Sequence, residues 1–172
     1  MRALVVFESM FGNTQTIAEA IAQGLTTRMD VELAEVADAP TAIADDVDLI
    51  VVGGPTHAFS MSRPATRQSA AEQAPDGLVS KGQGLREWLA SLDGRPAHTT
   101  AAAFDTRVKN PWVPGSAARG AAKHLRRHGF PIVTEAHSFY VAGTSGPLLE
   151  GEAERARNWG AELGAALLAA TR

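Results

Sequence analysis

The chain has no cysteine, which excludes disulfides, thiolate metal sites, redox dithiols and a cysteine nucleophile together. Long hydrophobic runs are also missing. The apolar stretch after Met1 and Arg2 ends at Phe7, too short for a signal-peptide core or a membrane span, and no later run approaches that length. A cytoplasmic protein without a membrane partner is the expectation. Cations are not in excess: Lys and Arg total 16 against 19 Asp and Glu, a formal net charge of -3. Nucleic-acid binding is therefore not expected, because it depends on Lys and Arg neutralising phosphates. What remains is a chain of 172 residues, 45% hydrophobic and 20% charged, of the size and composition of one globular domain spanning 1–172.

Short apolar runs alternate with helical patterns, the order that builds a doubly wound α/β sheet. Ala3 to Phe7, Leu49 to Val52 and Thr99 to Phe104 are apolar or small throughout, as central strands covered on both faces require. Val31 to Val36 and Ile132 to Val141 carry polar interruptions and read as edge strands. Helical stripes run through Ile17, Ile21 and Leu25; through Leu85, Trp88, Leu89 and Leu92; through Ala118, Ala121, Ala122 and Leu125; and through Ala156, Trp159, Leu163 and Leu167. Trp88 and Trp159 are thereby assigned to the core. Arg63 to Gln83, broken by proline and glycine, reads as a short exposed helix plus loop.

In such a sheet, ligands bind where strands end. After the first strand come Ser9, Met10, Phe11, Gly12, Asn13 and Thr14, and a helix begins at once. Unpaired N–H groups at a helix start, with the positive end of its dipole, form an anion site. Gly12 lets the backbone approach closely, and Ser9, Asn13 and Thr14 supply side-chain hydrogen bonds. The loop contains no Lys or Arg and no Walker pattern, which suits a phosphate monoester rather than a nucleoside triphosphate.

S-M-F-G-N-T resembles the FMN phosphate loop of flavodoxins, [TS]-x-T-G-x-T, with Phe11 in place of a hydroxyl. It is similar to the S-M-x-G-x-T form of flavodiiron flavin domains. The resemblance implies a short-chain flavodoxin-like domain with FMN as cofactor and a five-stranded parallel sheet of order 2-1-3-4-5, helices on both faces. Two further loops would then flank the isoalloxazine ring. The first follows strand three as Gly53-Gly54-Pro55-Thr56-His57-Ala58-Phe59; its paired glycines suit close approach to a flat ligand, and a neutral His57 could donate to the ring or move a proton. The second follows strand four with Asp105, Thr106, Arg107 and, further on, Trp112, the one aromatic able to replace a stacking tyrosine. A cation such as Arg107 near the ring would stabilise its anionic reduced form. Electron-carrying flavodoxins place a glycine in the first of these loops. Beyond Gly54 this loop has none, and positive φ at Thr56, His57 or Ala58 costs about 1 to 2 kcal/mol more than at glycine, so a flipped peptide is expected to be disfavoured.

Other signals fail. Gly82 and Gly84 begin a dinucleotide pattern without its third glycine or preceding strand, and Gly53 stands where a receiver domain needs aspartate. His124 and His128, beside Lys123, Arg126 and Arg127 near a helix end, read as a solvated basic face, and no metal site is expected. The expected activity is FMN-based redox chemistry. It takes the form of electron transfer with a redox partner protein or of NAD(P)H-dependent reduction of a small acceptor such as a quinone, with His57 and Arg107 as the candidate catalytic groups. A domain that binds flavin weakly or not at all, acting through protein contacts, is the alternative.

Overall fold

Side chains of the first strand, β1 (Arg2–Phe7), alternate between two interiors: Leu4 and Val6 enter one, Ala3, Val5 and Phe7 the other, and all are buried. The computed structural model describes residues 1–171. The same alternation holds in β3 (Leu49–Pro55), where Ile50 and Val52 oppose Leu49 and Val51, and in β4 (Thr100–Val108), where Ala101 and Ala103 oppose Ala102 and Phe104. These three strands are central. β2 (Asp30–Glu35) and β5 (His137–Val141) form the edges, and all neighbours pair in parallel in the order β2-β1-β3-β4-β5.

One interior is closed by α1 (Asn13–Leu25) and α5 (Glu152–Ala170), whose Ile17, Ile21, Leu25, Trp159 and Leu163 meet Phe7, Phe104 and Phe139. α3 (Leu85–Ala90) and α4 (Ala117–Arg127) close the other with Leu85, Trp88, Ala118 and Leu125. Trp88 and Trp159 are both core residues, as their helical spacing predicts. The short helix expected after Arg63 is α2 (Pro64–Glu72), which buries only Ala70. No helix among the described residues is long and apolar enough to cross a membrane.

Three strand limits differ clearly from expectation. β3 runs on to Pro55 instead of ending at Val52, because β4 pairs with it through Thr106, so Gly53, Gly54 and Pro55 are strand residues. β5 begins at His137 instead of Ile132. Ala101 bridges Ile132 while Phe104 pairs with His137, so three steps along β4 face five along the incoming chain, and the surplus residues break the ladder. β4 continues to Val108, because β3 and β5 pair with it beyond Phe104, so Asp105, Thr106 and Arg107 are strand residues and the loop starts at Lys109. The chain leaves β1 for one side of the sheet and returns as β3 on the other, which opens a crevice beyond the carboxyl ends of these strands.

Candidate functional site

The loop after β1 lies at this crevice, and three of its carbonyl groups already accept hydrogen bonds. Ser9 O accepts from Ser80 N at 2.8 Å, Met10 O from Val79 N at 3.0 Å, and Gly12 O from both Thr16 N and Thr16 Oγ1 at 3.0 Å. Its amide groups behave differently. Gly12 N donates to Ser9 Oγ at 3.1 Å, whereas the N–H groups of Asn13, Thr14 and Gln15, the first turn of α1, donate to no described residue. Gly12 sits at φ 94°, in the left-handed region that favours glycine, and open space surrounds the position where a Cβ would stand. The result is a cradle of three unpaired donors, with the Ser9, Met10 and Gly12 carbonyls already engaged elsewhere. Its floor holds a hydrogen bond between the Thr14 and Thr106 hydroxyls at 2.7 Å, both nearly buried.

Outside the cradle, the 79–80 segment acts as a brace. Ser80 Oγ accepts from Ser9 N at 2.9 Å and donates to Glu35 Oε1 at 2.6 Å, tying the loop to the end of β2. A second support lies beneath it. Glu8 is fully buried, and its carboxylate accepts from Leu85 N at 2.9 Å and from Ser62 Oγ at 2.5 and 2.9 Å. Arg67 donates to both Glu87 oxygens and to Ser62 Oγ, so its guanidinium pairs with Glu87 directly and reaches Glu8 through the Ser62 hydroxyl. Burial pushes the Glu8 pKa up, opposed by the Leu85 and Ser62 hydrogen bonds and by Arg67. For Glu87 burial also acts upward, but the hydrogen bond and charge of Arg67 prevail and hold it below the ordinary glutamate value.

Ten of the sequence-derived residues line one cleft of about 80 Å³: Ser9, Met10, Phe11, Asn13 and Thr14 on one side, Pro55, Thr56 and His57 on another, with Thr106 and Arg107 from β4. Ala58 and Phe59 line an adjoining groove of about 240 Å³ that shares Thr56 and Arg107 with the cleft. Asp105 and Trp112 are not brought to the cleft wall. Asp105 is fully buried beneath it, where Oδ2 accepts from Ser116 Oγ at 2.5 Å, Ala118 N at 3.0 Å and Thr56 Oγ1 at 3.1 Å; it caps α4 and fixes Thr56. Trp112 is 90% exposed and stacks on no other aromatic ring among the described residues. The Asn13 amide also donates to Ser145 O at 3.2 Å and ties the β5–α5 loop to the cradle.

The paired glycines also have a packing cause. A Cβ on Gly53 would stand 2.2 Å from the Phe104 ring, so the strand needs glycine there to seat that ring against its own backbone. Beyond them, His57 and Ser60 exchange two backbone hydrogen bonds of 2.7 and 3.0 Å around Ala58 (φ 44°) and Phe59 (φ 70°), a tight hairpin turn with both central residues left-handed. Positive φ at Ala58, expected to be disfavoured, is thus adopted. The turn's own hydrogen bonds favour it, and the 113–115 segment packs against it: a Cβ on Gly115 would lie 2.1 Å from Phe59 O. Arg107 holds that segment by donating to Gly115 O at 2.7 Å and Val113 O at 2.8 Å. Two guanidinium nitrogens are therefore engaged by the loop, while the charge stays at the cleft.

His57 is half-buried, and burial, reinforced by the positive charge of Arg67, pulls its pKa below the usual histidine value. Its Nδ1 lies 3.2 Å from Thr66 Oγ1, whose own proton is donated to Arg63 O at 3.0 Å. This arrangement assigns the hydrogen to Nδ1 and leaves Nε2 an acceptor. Sequence reasoning missed Glu8, Ser62, Arg67 and Ser80. Only Glu8 left a signal, a carboxylate directly after an apolar central strand.

Comparison with known proteins agrees with the architecture. Residues 4–68 match the family described as Flavodoxin domain. No curated protein matches the sequence. Among solved structures, a flavodoxin from the domain Archaea is similar with 22% identity and a TM-score of 0.66, covering 98% of this chain and 99% of that one. Oxidised Flavodoxin 1 from Bacillus cereus aligns with 19% identity, TM-score 0.66 and 98% of each chain. The Flv1 flavodiiron core from Synechocystis sp. PCC6803 aligns with 18% identity and TM-score 0.63 over 99% of this chain and 36% of that one.

Proposed function

We propose that this flavodoxin-like chain, a single domain spanning 1–172, is a cytoplasmic FMN-binding redox protein. The observation that carries the reading is the cradle. Three unpaired N–H groups at the start of α1, an open left-handed Gly12 and the Thr14–Thr106 hydroxyl pair converge where a phosphate monoester needs donors, with the Ser9, Met10 and Gly12 carbonyls engaged by other backbone groups. Ser9, Met10, Phe11, Gly12, Asn13 and Thr14 would surround the phosphate. Pro55, Thr56, His57, Ala58 and Phe59, with Thr106 and Arg107, would flank the ring.

Bound FMN supplies reversible one- or two-electron chemistry. The chain's own residues decide which acceptor is served. His57 presents an acceptor nitrogen that is neutral at physiological pH, suited to receive a hydrogen bond or a proton. Arg107 places a fixed positive charge at the cleft, which favours negative charge nearby. Both properties support reduction of a small acceptor such as a quinone with NAD(P)H as donor; electron transfer to a protein partner uses the same site. Titration of the purified protein with FMN is the test. Quenching of flavin fluorescence at micromolar protein is expected, and a colourless protein without quenching would remove the reading.

A second reading follows from the exposed rim. Trp112 at 90% and Phe59 at 55% exposure are large apolar side chains in water beside the cleft, the kind of surface that docks another protein. A domain acting through such contacts, with weak flavin binding or none, predicts partner association that is indifferent to FMN.

A further inference from the structure

On the far side of Arg107 from the cradle, the β4–α4 loop and β5 enclose a separate cleft of about 430 Å³. Three cations line it, Arg107, Lys109 and Arg119, and no carboxylate does. Lys109 and Arg119 are exposed, and none of the three forms an ion pair among the described residues. In a chain of net charge -3 this is local segregation of positive charge. Glu152, near enough to feel the charge of Lys109, is buried and already engaged by Arg155 and Tyr140 N. One wall is aromatic: the Tyr140 ring carries Lys109 Nζ 5.5 Å from its centroid. Pro111 and Pro114 also line the cleft.

The cleft and the groove beside Phe59 share Arg107, Asn110 and Val113 as a common wall. We propose that the cationic cleft binds the phosphate or carboxylate of a small ring-bearing redox substrate, holding that anion while the rest of the molecule reaches the groove. Two exposed donors of unlike shape, one ammonium and one guanidinium, accept either anion; the aromatic and proline walls accept the flat body attached to it. Arg107 contributes charge and, through Gly115 and Val113, the shape of the shared wall. The redox role rests on the flavin reading, whereas anion binding does not.

Calorimetric titration of FMN-free and FMN-loaded protein with 2′-AMP and with 4-hydroxybenzoate tests the site and separates its two sources, a nucleotide phosphate and an aromatic carboxylate. At least one probe is expected to bind, to weaken as salt screens the cleft, and to lose about tenfold or more in affinity in the Lys109→Gln/Arg119→Gln double variant with FMN affinity unchanged. Binding of neither probe, or equal binding to wild type and double variant, overturns the proposal. So does a parallel loss of FMN affinity, which would place these cations in the field of the flavin phosphate instead. FMN binding without anion binding removes the cleft alone; anion binding without FMN binding removes the flavin reading alone.

Discussion

Replacing Thr14 with valine tests the cradle at its floor while almost keeping side-chain shape. In the free protein the change removes the 2.7 Å hydrogen bond to Thr106 and leaves a nearly buried hydroxyl without that partner. That costs about 1 to 3 kcal/mol, less if water reaches Thr106 through the open cleft. For a domain of this size each kcal/mol lowers the melting temperature by about 2 to 4 °C, so the variant should still be folded at room temperature. In the FMN complex the loss is of a different kind. A hydroxyl donating to a phosphate dianion contributes about 1.5 to 3 kcal/mol, so the FMN Kd should rise by about 10- to 150-fold. Riboflavin, which has the ring but no phosphate, separates the two effects in fluorescence titrations of both proteins. Its affinity should be nearly the same in wild type and variant. Equal weakening of riboflavin and FMN would show that Thr14 acts through general loosening of the site. An unchanged FMN Kd in a folded variant would refute the cradle outright.

Three further outcomes follow from the supports around the cleft. Arg107→Leu removes the two hydrogen bonds to the 113 and 115 carbonyls, so stability should fall by about 1 to 3 kcal/mol in urea denaturation and proteolysis should begin within 109–115. Ala58→Gly relieves a left-handed alanine at φ 44° and should raise stability by up to about 1 kcal/mol, read as a higher melting temperature; a lower one would mean that the turn is unstrained at alanine. Glu8 sets a pH dependence. Its pKa is raised by burial in the folded protein, so its contribution to stability is full below the ordinary glutamate value of 4.5 and is lost as pH rises through the raised one. Glu8→Gln cannot ionise and should lack this loss, so its stability relative to wild type should increase from pH 4 towards neutrality in urea titrations; a difference independent of pH would exclude burial as the cause.

The parts of the site that were legible in the sequence are those that local chemistry determines. Ser9 to Thr14 could be read because a strand, a glycine and a helix start lie within a few residues, and the N–H groups they expose belong to the same short segment. The sheet was legible because burial on two faces leaves unbroken apolar runs in β1 and β3. The ring-side loops depend instead on contacts distant in sequence. Gly53 is glycine because of Phe104, 51 positions later, and the left-handed Ala58 and Phe59 are held by a segment that Arg107 positions. Asn13 illustrates the limit. Its residue type suits a phosphate, and its amide also meets Ser145 O across the crevice, a contact that only the fold brings about. Asp105 shows the same from below: β4 runs past Phe104 because β5 pairs with it that far, and this extension turns a predicted loop acid into the buried cap of α4. The cradle can therefore be judged from one peptide segment, whereas the geometry around the ring is a joint property of β3, β4 and the loop before α4. Substitutions at Arg107 or Gly115 should consequently alter the 57–60 turn without touching any residue in it, and the phosphate loop should be indifferent to them.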